Sequence, residues 1–395
     1  MRNRWNLRGA GSMMVCGRNH MNRRQFLGTS ISAGAALAAS PLAMGAAPTN
    51  ATQGAAQDEG APGKAIKKLP IGIFNPAFKG YSLDAMLDKY VSLGAEAAEV
   101  GAAGYASSDQ CPLDELVADK AKARAWKKKF DDRGIRIMAL SGHGNVVHPD
   151  PATAAGYDKG FRNTILLAEM LDVPTVVGFS GCPGASAADK SPCWITYPWP
   201  PEYADALEWQ WNQRIIPYWK ETVRFAAAHG VKRIALEMHP NFAVYNARTL
   251  MRLREAVGPI IGANCDLSHQ FWQGCSPVET IRYLGKNGAL YHAHMKDTAF
   301  FQHNVDRFGV LNFTLTPSDL QASEFFRSVG YGHSVSTWKD VIATYMEVGF
   351  DGMLSIENED PLLSGEVGVQ RSMAVLQHAR EELLAGHPNP GAAGS

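Results

Sequence analysis

The sequence predicts an α/β chain that closes into a single-domain (β/α)8 TIM barrel with long loops after strands 4 and 7. Three observations predict it. From residue 68 onward, eight short apolar runs rich in Val and Ile alternate with longer amphipathic runs, the pattern of parallel βαβ units whose right-handed crossovers close on themselves. Several helix-to-strand joins repeat a glycine, at Gly94, Gly134, Gly230 and Gly349, where a helix C-cap takes a left-handed residue. A doubly wound open sheet would carry a Gly-rich dinucleotide turn after its first strand, and Asn75-Pro76-Ala77-Phe78 offers none.

The elements follow in order. Strand one, 69–74, is too short and too apolar for a helix, and helix 83–93 follows with one apolar face. Strand two, 97–100, leads into a long helix over 113–133. Its basic stretch from Lys120 to Arg136 alternates with Ala, Trp and Phe and reads as a solvated face. Strand three, 135–140, precedes helix 153–171. Strand four, 175–179, opens the loop 180–202, and helix 203–228 returns to strand five, 233–238. Helix 247–257, strand six at 261–266, helix 277–284 and strand seven at 290–295 continue the alternation. The loop 298–335 separates strand seven from helix 336–348, and strand eight, 353–357, is followed by helix 367–384. Both long loops follow strands, so both belong to the catalytic face, and long loops in a compact domain are usually functional.

The chain has 395 residues and equal numbers of basic and acidic side chains, 38 each. That balance argues against nucleic acid or an anionic membrane as partner. Asn22-Arg23-Arg24-Gln25-Phe26-Leu27 is a twin-arginine signal pattern, followed by an apolar stretch too short to span a bilayer comfortably and by small residues at 43–47. Residues 1–47 are therefore expected to be an N-terminal extension and signal peptide, 48–67 a linker, 68–386 the barrel and 387–395 a disordered tail. Met21 is an alternative start. The expected partner is the twin-arginine export machinery, the destination the periplasm, and no stable membrane insertion follows; a homo-oligomer is allowed. Cys182 and Cys193 share one loop and are candidates for a disulfide, and no Cys-x-x-Cys spacing suggests structural zinc.

The chemistry lies at four consecutive strand ends. Strand five ends in Glu237-Met-His239, strand six in Asp266-Leu-Ser-His269, strand seven in His292-Ala-His294-Met-Lys296-Asp297 and strand eight in Glu357-Asn-Glu359. One acidic residue at a strand end reads as a loop cap. Three carboxylates at one barrel mouth repel unless a cation lies between them. Three oxygen donors and one imidazole suit one divalent ion, Mn2+ first, with Mg2+ or Co2+ fitting and Zn2+ a second choice. Trp194, Trp199 and Trp272 are candidates to stack on sugar C–H faces, while Trp209, Trp211 and Trp219 read as helix packing.

The order Glu, Asp, His, Glu on strands five to eight resembles the xylose isomerase-like sugar phosphate isomerases and epimerases. His294-Met-Lys296-Asp297 is similar to their His-x-Lys-Asp stretch, Asp266-Leu-Ser-His269 to their Asp-x-x-His, and Gly330-Tyr331-Gly332 with Gly349-Phe350-Asp351-Gly352 to their approach to strand eight. The likeness runs over about residues 68–384. It implies that Glu237, Asp266, His294 and Glu357 hold the metal, and that Glu237 and Glu357 are the acid/base pair on opposite faces of a sugar. A metal on a carbonyl and its neighbouring hydroxyl acidifies the C–H between them and stabilises an enediolate. By the same resemblance His269 and His292 orient substrate hydroxyls. Lys296 either steadies developing charge or pairs with Asp297. His143 and Asn145 after strand three, His239 two past Glu237, and Arg327 in the long loop are further candidates for substrate contact. Two positions depart from the ketose epimerase pattern: His333 stands where a Glu is common, and Phe300 near the place of a substrate-binding Arg. The chain looks closest to an exported branch resembling enzymes suspected of acting on 3-keto-sugars or glycosides.

The expected reaction is thus isomerisation or epimerisation of a sugar or keto-sugar. A 3-keto-glycoside lyase would share the first proton abstraction and end in β-elimination. A DNA-repair endonuclease on this barrel would need more His ligands and a basic groove, and a sugar-binding protein would need no intact ligand set.

Overall fold

The protein is described here by a computed structural model, which covers residues 67–313 and 321–385. The expected signal peptide, nearly all of the linker and the C-terminal tail lie outside the described residues.

Eight parallel strands close a barrel. They are β1 (Ile71–Phe74), β2 (Ala97–Gly104), β3 (Arg136–His143), β4 (Thr175–Gly178), β5 (Arg233–Glu237), β6 (Ile261–Asp266), β7 (Leu290–Met295) and, as the eighth barrel strand, β10 (Leu354–Ile356). Between them run α1 (Leu83–Leu93), α2 (Leu113–Ala118), α3 (Lys120–Asp131), α4 (Pro151–Leu171), α5 (Pro201–Trp209), α6 (Ile216–Ala228), α7 (Ala247–Val257), α8 (Leu267–Trp272), α9 (Pro277–Lys286) and α11 (Val335–Glu347), with α12 (Gly365–Ala385) closing the chain. The helices start where a side chain accepts the free N–H groups of the first turn. Ser82 does this for Ala85, Asp150 for Thr153 and Ser334 for Thr337. The apolar core lies between strands and helices, with Val100, Leu140, Val176, Ile234, Leu236, Ile261 and Leu354 fully buried. Ala139, Val177 and Ala235 form a second, smaller apolar cluster, onto which Tyr291 packs.

Three elements differ from expectation. The helix expected over 113–133 is two helices, because the Asp119 carboxylate turns back to accept the N–H groups of Ala121 and Lys122 and starts a new one. The helix expected over 203–228 is interrupted by a π turn at Gln210–Ile215, just before Pro217, whose ring nitrogen has no hydrogen to donate. The loop after strand seven is not structureless. It contains an antiparallel hairpin, β8 (Asp297–Phe300) with β9 (Glu324–Arg327), and between them the short helix α10 (Gln302–Phe308). The Cys182–Cys193 bridge is not formed, and both are free thiols. Their loop is held instead by Gln210, whose Nε2 donates to the carbonyls of Gly184 and Cys193.

Candidate metal and substrate site

Strand register places the chemistry in layers. Side chains two apart on a strand share a face, so β7 sends His292 and His294 inward at rising levels, with Lys296 one residue past its end. Asp266 is the register partner of His294, Ser355 lies beside His294 on the other side, and Glu237 pairs with Asn264. Glu357 follows Ser355 by two and reaches the mouth. The ligand atoms of Glu237, Asp266, His294 and Glu357 all lie within 4.8 Å of one another. His294 Nδ1 stands 3.1 Å from Glu357 Oε2 and 3.4 Å from Glu237 Oε2. Asp266 divides its work: Oδ1 caps α8 by accepting Ser268 N and Ser268 Oγ, while Oδ2 is left facing the site without an aligned hydrogen bond.

Beneath this set lies a residue that the strand-end reading missed. Glu99, on β2, is fully buried. It accepts from His292 Nε2 at 2.8 Å, from His294 Nε2 at 3.0 Å, from Ser355 Oγ at 2.6 Å and from Ser141 Oγ. Burial pushes its carboxyl up, but His294 and His292 outweigh this and hold it well below the usual carboxylate range. An ionised Glu99 can only accept, so His294 Nε2 carries a proton, and Nδ1, turned toward Glu237 and Glu357, is the nitrogen left for a cation. Burial disfavours charge on this imidazole, but Glu99 and Glu357 outweigh it and raise the ring well above its ordinary value, so a cation at Nδ1 displaces a proton.

The mouth above is a cavity of about 130 Å³ lined by Phe74, Tyr105, Phe179, His143, Glu237, His239, Lys296, Glu357 and Glu359, among others. His143 is set by a close approach of β2 to β3: Tyr105 N donates to His143 O at 2.7 Å, and a Cβ on Gly104, at φ +70°, would lie 1.6 Å from that oxygen. Its Nε2 meets Glu237 Oε2 at 3.0 Å. The Phe179 ring packs edge-on against His143 and His239, and stacks on Phe242. A cavity of about 550 Å³ is larger, but it opens at the N-terminal ends of the strands, among Thr175, Arg233 and Met353. The barrel's carboxylates converge at the other end, where such barrels work.

A family model for the xylose isomerase-like TIM barrel matches residues 87–379. The chain belongs to the xylose isomerase-like TIM barrel family. It is 34% identical over 294 residues to the uncharacterized protein YfiH of Bacillus subtilis (strain 168), an overlap of 74% of this chain and 93% of that one. Among solved structures, a xylose isomerase domain protein from Planctomyces limnophilus superposes with a TM-score of 0.55 at 18% identity, covering 81% of this chain and 100% of its own. The probable 3-DHS dehydratase AsbF from Bacillus anthracis gives 0.53 at 15%, with 78% and 99% covered. An L-ribulose 3-epimerase gives 0.51 at 15%, with 82% and 99% covered. At these identities the structural likeness is one of fold.

In this xylose isomerase-like barrel the four-residue set fits a divalent cation. An ion at roughly 2.0–2.2 Å from each donor separates donors by about 3–4.3 Å, within the spacing found. Two other groupings occur among the described residues. Glu99, His292 and His294 are joined by hydrogen bonds; in the group of Glu237, His239 and His269, His239 bonds the Pro240 carbonyl through Nδ1 at 2.5 Å, which leaves Nε2 as its ligand-capable nitrogen. Lys296 shares the site with the four donors. Its Nζ lies 2.9 Å from Asp266 Oδ2, 2.7 Å from Glu357 Oε2 and 3.0 Å from Glu359 Oε2. Burial disfavours its charge, yet Asp266, Glu357 and Glu359 outweigh that and hold it protonated. Burial also opposes ionisation of Asp266, but Lys296 and His269 bring its carboxyl to about 2. Glu237 and Glu357 part company. Burial raises both; the His143 hydrogen bond and the neighbouring His269 pull Glu237 well down, whereas Glu357 stays above the ordinary value despite Lys296 and His294. Burial, helped by His269, drops His239 to about 4, so it is neutral at pH 7.

The other expected site residues fall as follows. His269 is near the centre, 3.4 Å from Glu237 Oε1 and 3.3 Å from Asp266 Oδ2. His292 is not at the mouth, because alternation sets it one layer below His294, against Glu99. Lys296 pairs with three carboxylates rather than with Asp297. Asn145 uses both ends of its amide on the Cys182 backbone and ties two loops together. Arg327 is turned to Asp360, 3.1 Å away. Trp272 is buried on α8 and does not line the mouth, Trp199 is exposed, and Trp194 lines a separate cavity of about 300 Å³. The rings at the mouth are Phe74, Tyr105 and Phe179. Glu99 had a signal in the sequence: an acidic residue amid a run of small apolar ones demands a buried partner.

Proposed function

We propose that this protein is a divalent-metal-dependent isomerase or epimerase of a sugar or keto-sugar, exported by the twin-arginine route and active in the periplasm, with Mn2+ as its ion. One observation carries the reaction: Glu237, Asp266, His294 and Glu357 converge from the ends of four adjacent strands with one ligand-capable atom of each within 4.8 Å of the others. The names of fold neighbours, an L-ribulose 3-epimerase and a D-psicose 3-epimerase with D-fructose among them, accord with it. Export rests on Arg23 and Arg24 in their sequence setting.

Glu237, Asp266, His294 and Glu357 hold the ion, and Glu99 keeps His294 in the tautomer that offers Nδ1. When bound, the ion polarises a substrate carbonyl and steadies the negative charge that develops on proton loss. Glu357, which reaches the mouth from the end of the eighth barrel strand, removes and returns the proton beside the carbonyl. Glu237, oriented by His143 and His269, serves the opposite face. Neutral His239 and the Phe179 ring form the wall against which the sugar rests.

The test is proton exchange. Signal-free protein loaded with Mn2+ is incubated in D2O with ketoses and 3-keto-glycosides, and deuterium uptake next to the carbonyl is followed by NMR after the metal is removed. Uptake that falls by about 10²–10⁴-fold in Glu357→Gln, and that is lost on chelation, is expected. Metal bound with no uptake from any substrate sinks the proposal. The product spectrum separates an epimer from an elimination product.

A further inference from the structure

Asp297 fills a cradle of backbone N–H groups in the loop after β7. In (β/α)8 enzymes a phosphate group is frequently taken by backbone N–H groups of the loops after strands 7 and 8. Here the N–H groups of Gly330, Gly332 and His333 all donate to one oxygen, Asp297 Oδ2, each at 3.0 Å. Trp338 Nε1 adds a bond to the same oxygen at 3.2 Å, and Thr298 N and His333 Nδ1 take Oδ1 at 2.8 and 2.7 Å. The loop closes tightly over the carboxylate: a Cβ on Gly332 would lie 2.0 Å from Thr298 O and 2.7 Å from Asp297 Oδ1. Asp297 is fully buried. The cradle is filled by the chain's own carboxylate.

Side-chain cations do not replace it. Among the described residues lining the mouth, Lys296 is the one Lys or Arg, and it is held among Asp266, Glu357 and Glu359. Arg327, on the hairpin, is turned to Asp360 and lies over the Tyr331 ring. Residues 314–320, outside the described set, contain no Lys, Arg or His. A divalent ion and Lys296 together carry less positive charge than Glu237, Asp266, Glu357 and Glu359 carry negative. The Glu359 side chain lines the mouth and is half exposed while its Oε2 pairs with Lys296, so an arriving anion meets like charge.

We infer that the site takes an uncharged sugar or glycoside and rejects sugar phosphates and sugar acids. This rests on the isomerase/epimerase reading above and narrows it to a substrate class. Calorimetry on the Mg2+-loaded protein, at matched free Mg2+, tests it with paired probes: D-fructose, D-tagatose and D-allulose against their 6-phosphates, and methyl glucoside against methyl glucuronide. At least one neutral member is expected to bind roughly tenfold or more tighter than its charged counterpart. Equal or tighter binding of the charged members overturns the inference, and so does binding of none of the probes. The variant Glu359→Lys is expected to narrow the ratio by roughly fivefold or more; an unchanged ratio overturns the charge argument. Selective binding of neutral sugars without deuterium exchange would leave the substrate class standing and remove the proposed reaction, so the two readings fail separately.

Discussion

Glu99 on β2 reaches across the barrel to His294 on β7, its Oε2 3.0 Å from Nε2 of the imidazole. The contact spans strands that are not neighbours in the sheet, so it ties opposite walls together while fixing which ring nitrogen is free. A histidine that donates one N–H to a carboxylate presents the other nitrogen as a more basic, better oriented ligand. Glu99→Gln is therefore expected to weaken Mn2+ affinity by about 10–100-fold, read by titrating metal into the apo protein. The replacement keeps size and a hydrogen-bonding oxygen. An unchanged affinity would show that His294 does not ligate through Nδ1.

The same pair shows what could be read from the sequence and what could not. The eight-strand alternation and the four strand-end donors were legible because each is a local signal: an apolar run and the polar residue that stops it. For Glu99 the apolar surroundings signal a buried partner but not which one, because it sits within its strand and finds its partners on the far side of the barrel. His292 was placed too high for a related reason. Two residues along a strand is one layer of depth, and sequence spacing alone does not say which layer is the mouth. Tryptophan suits a sugar face, which makes Trp194, Trp199 and Trp272 the expected stacking residues, while the positions that face the cavity belong to Phe74, Tyr105 and Phe179. Asp119 broke a helix that amphipathic periodicity continued through, since periodicity does not see a side chain turning back to cap its own backbone.

Lys296 and the ion compete for the same oxygens. Without metal, Lys296 neutralises Asp266 and Glu357, and removing one partner of a buried ion pair costs about 3–5 kcal/mol. Lys296→Met is expected to melt well below the parent when metal-free. Added Mn2+ should then raise its Tm by more than it raises the parent's, because two carboxylates are released to the ion and binding to the folded state stabilises it by mass action. Thermal melts of both proteins with and without Mn2+ measure this. An equal metal-induced rise in the two would place Lys296 outside the competition.

Away from the mouth, Glu96 joins the first two strands to the last helix, and this junction predicts an acid-sensitive barrel. Its carboxylate accepts Ile71 N at 3.0 Å and pairs with Lys68 at 2.5 Å and with nearly buried Arg380, which also donates to Leu69 O at 2.8 Å. Burial pushes the Glu96 carboxyl up, but Lys68, Arg380 and the Ile71 N–H together bring it below the ordinary value. A depressed carboxyl contributes stability that is fully present above its unfolded pKa, about 4.3, and that is lost as pH falls through the lower folded value. Glu96→Gln leaves Arg380 without its ionic partner and is expected to cost about 1–3 kcal/mol at pH 7, a fall of several degrees in Tm for a chain of this size. The gap between parent and variant should begin to narrow as the pH falls below the unfolded value of about 4.3 and close below the depressed folded value, where the parent's carboxylate is protonated too. Melts at pH 7 and pH 3.5 check both parts. A gap that stayed constant over that range would mean that Glu96 acts through packing or its neutral hydrogen bonds, and not through its charge.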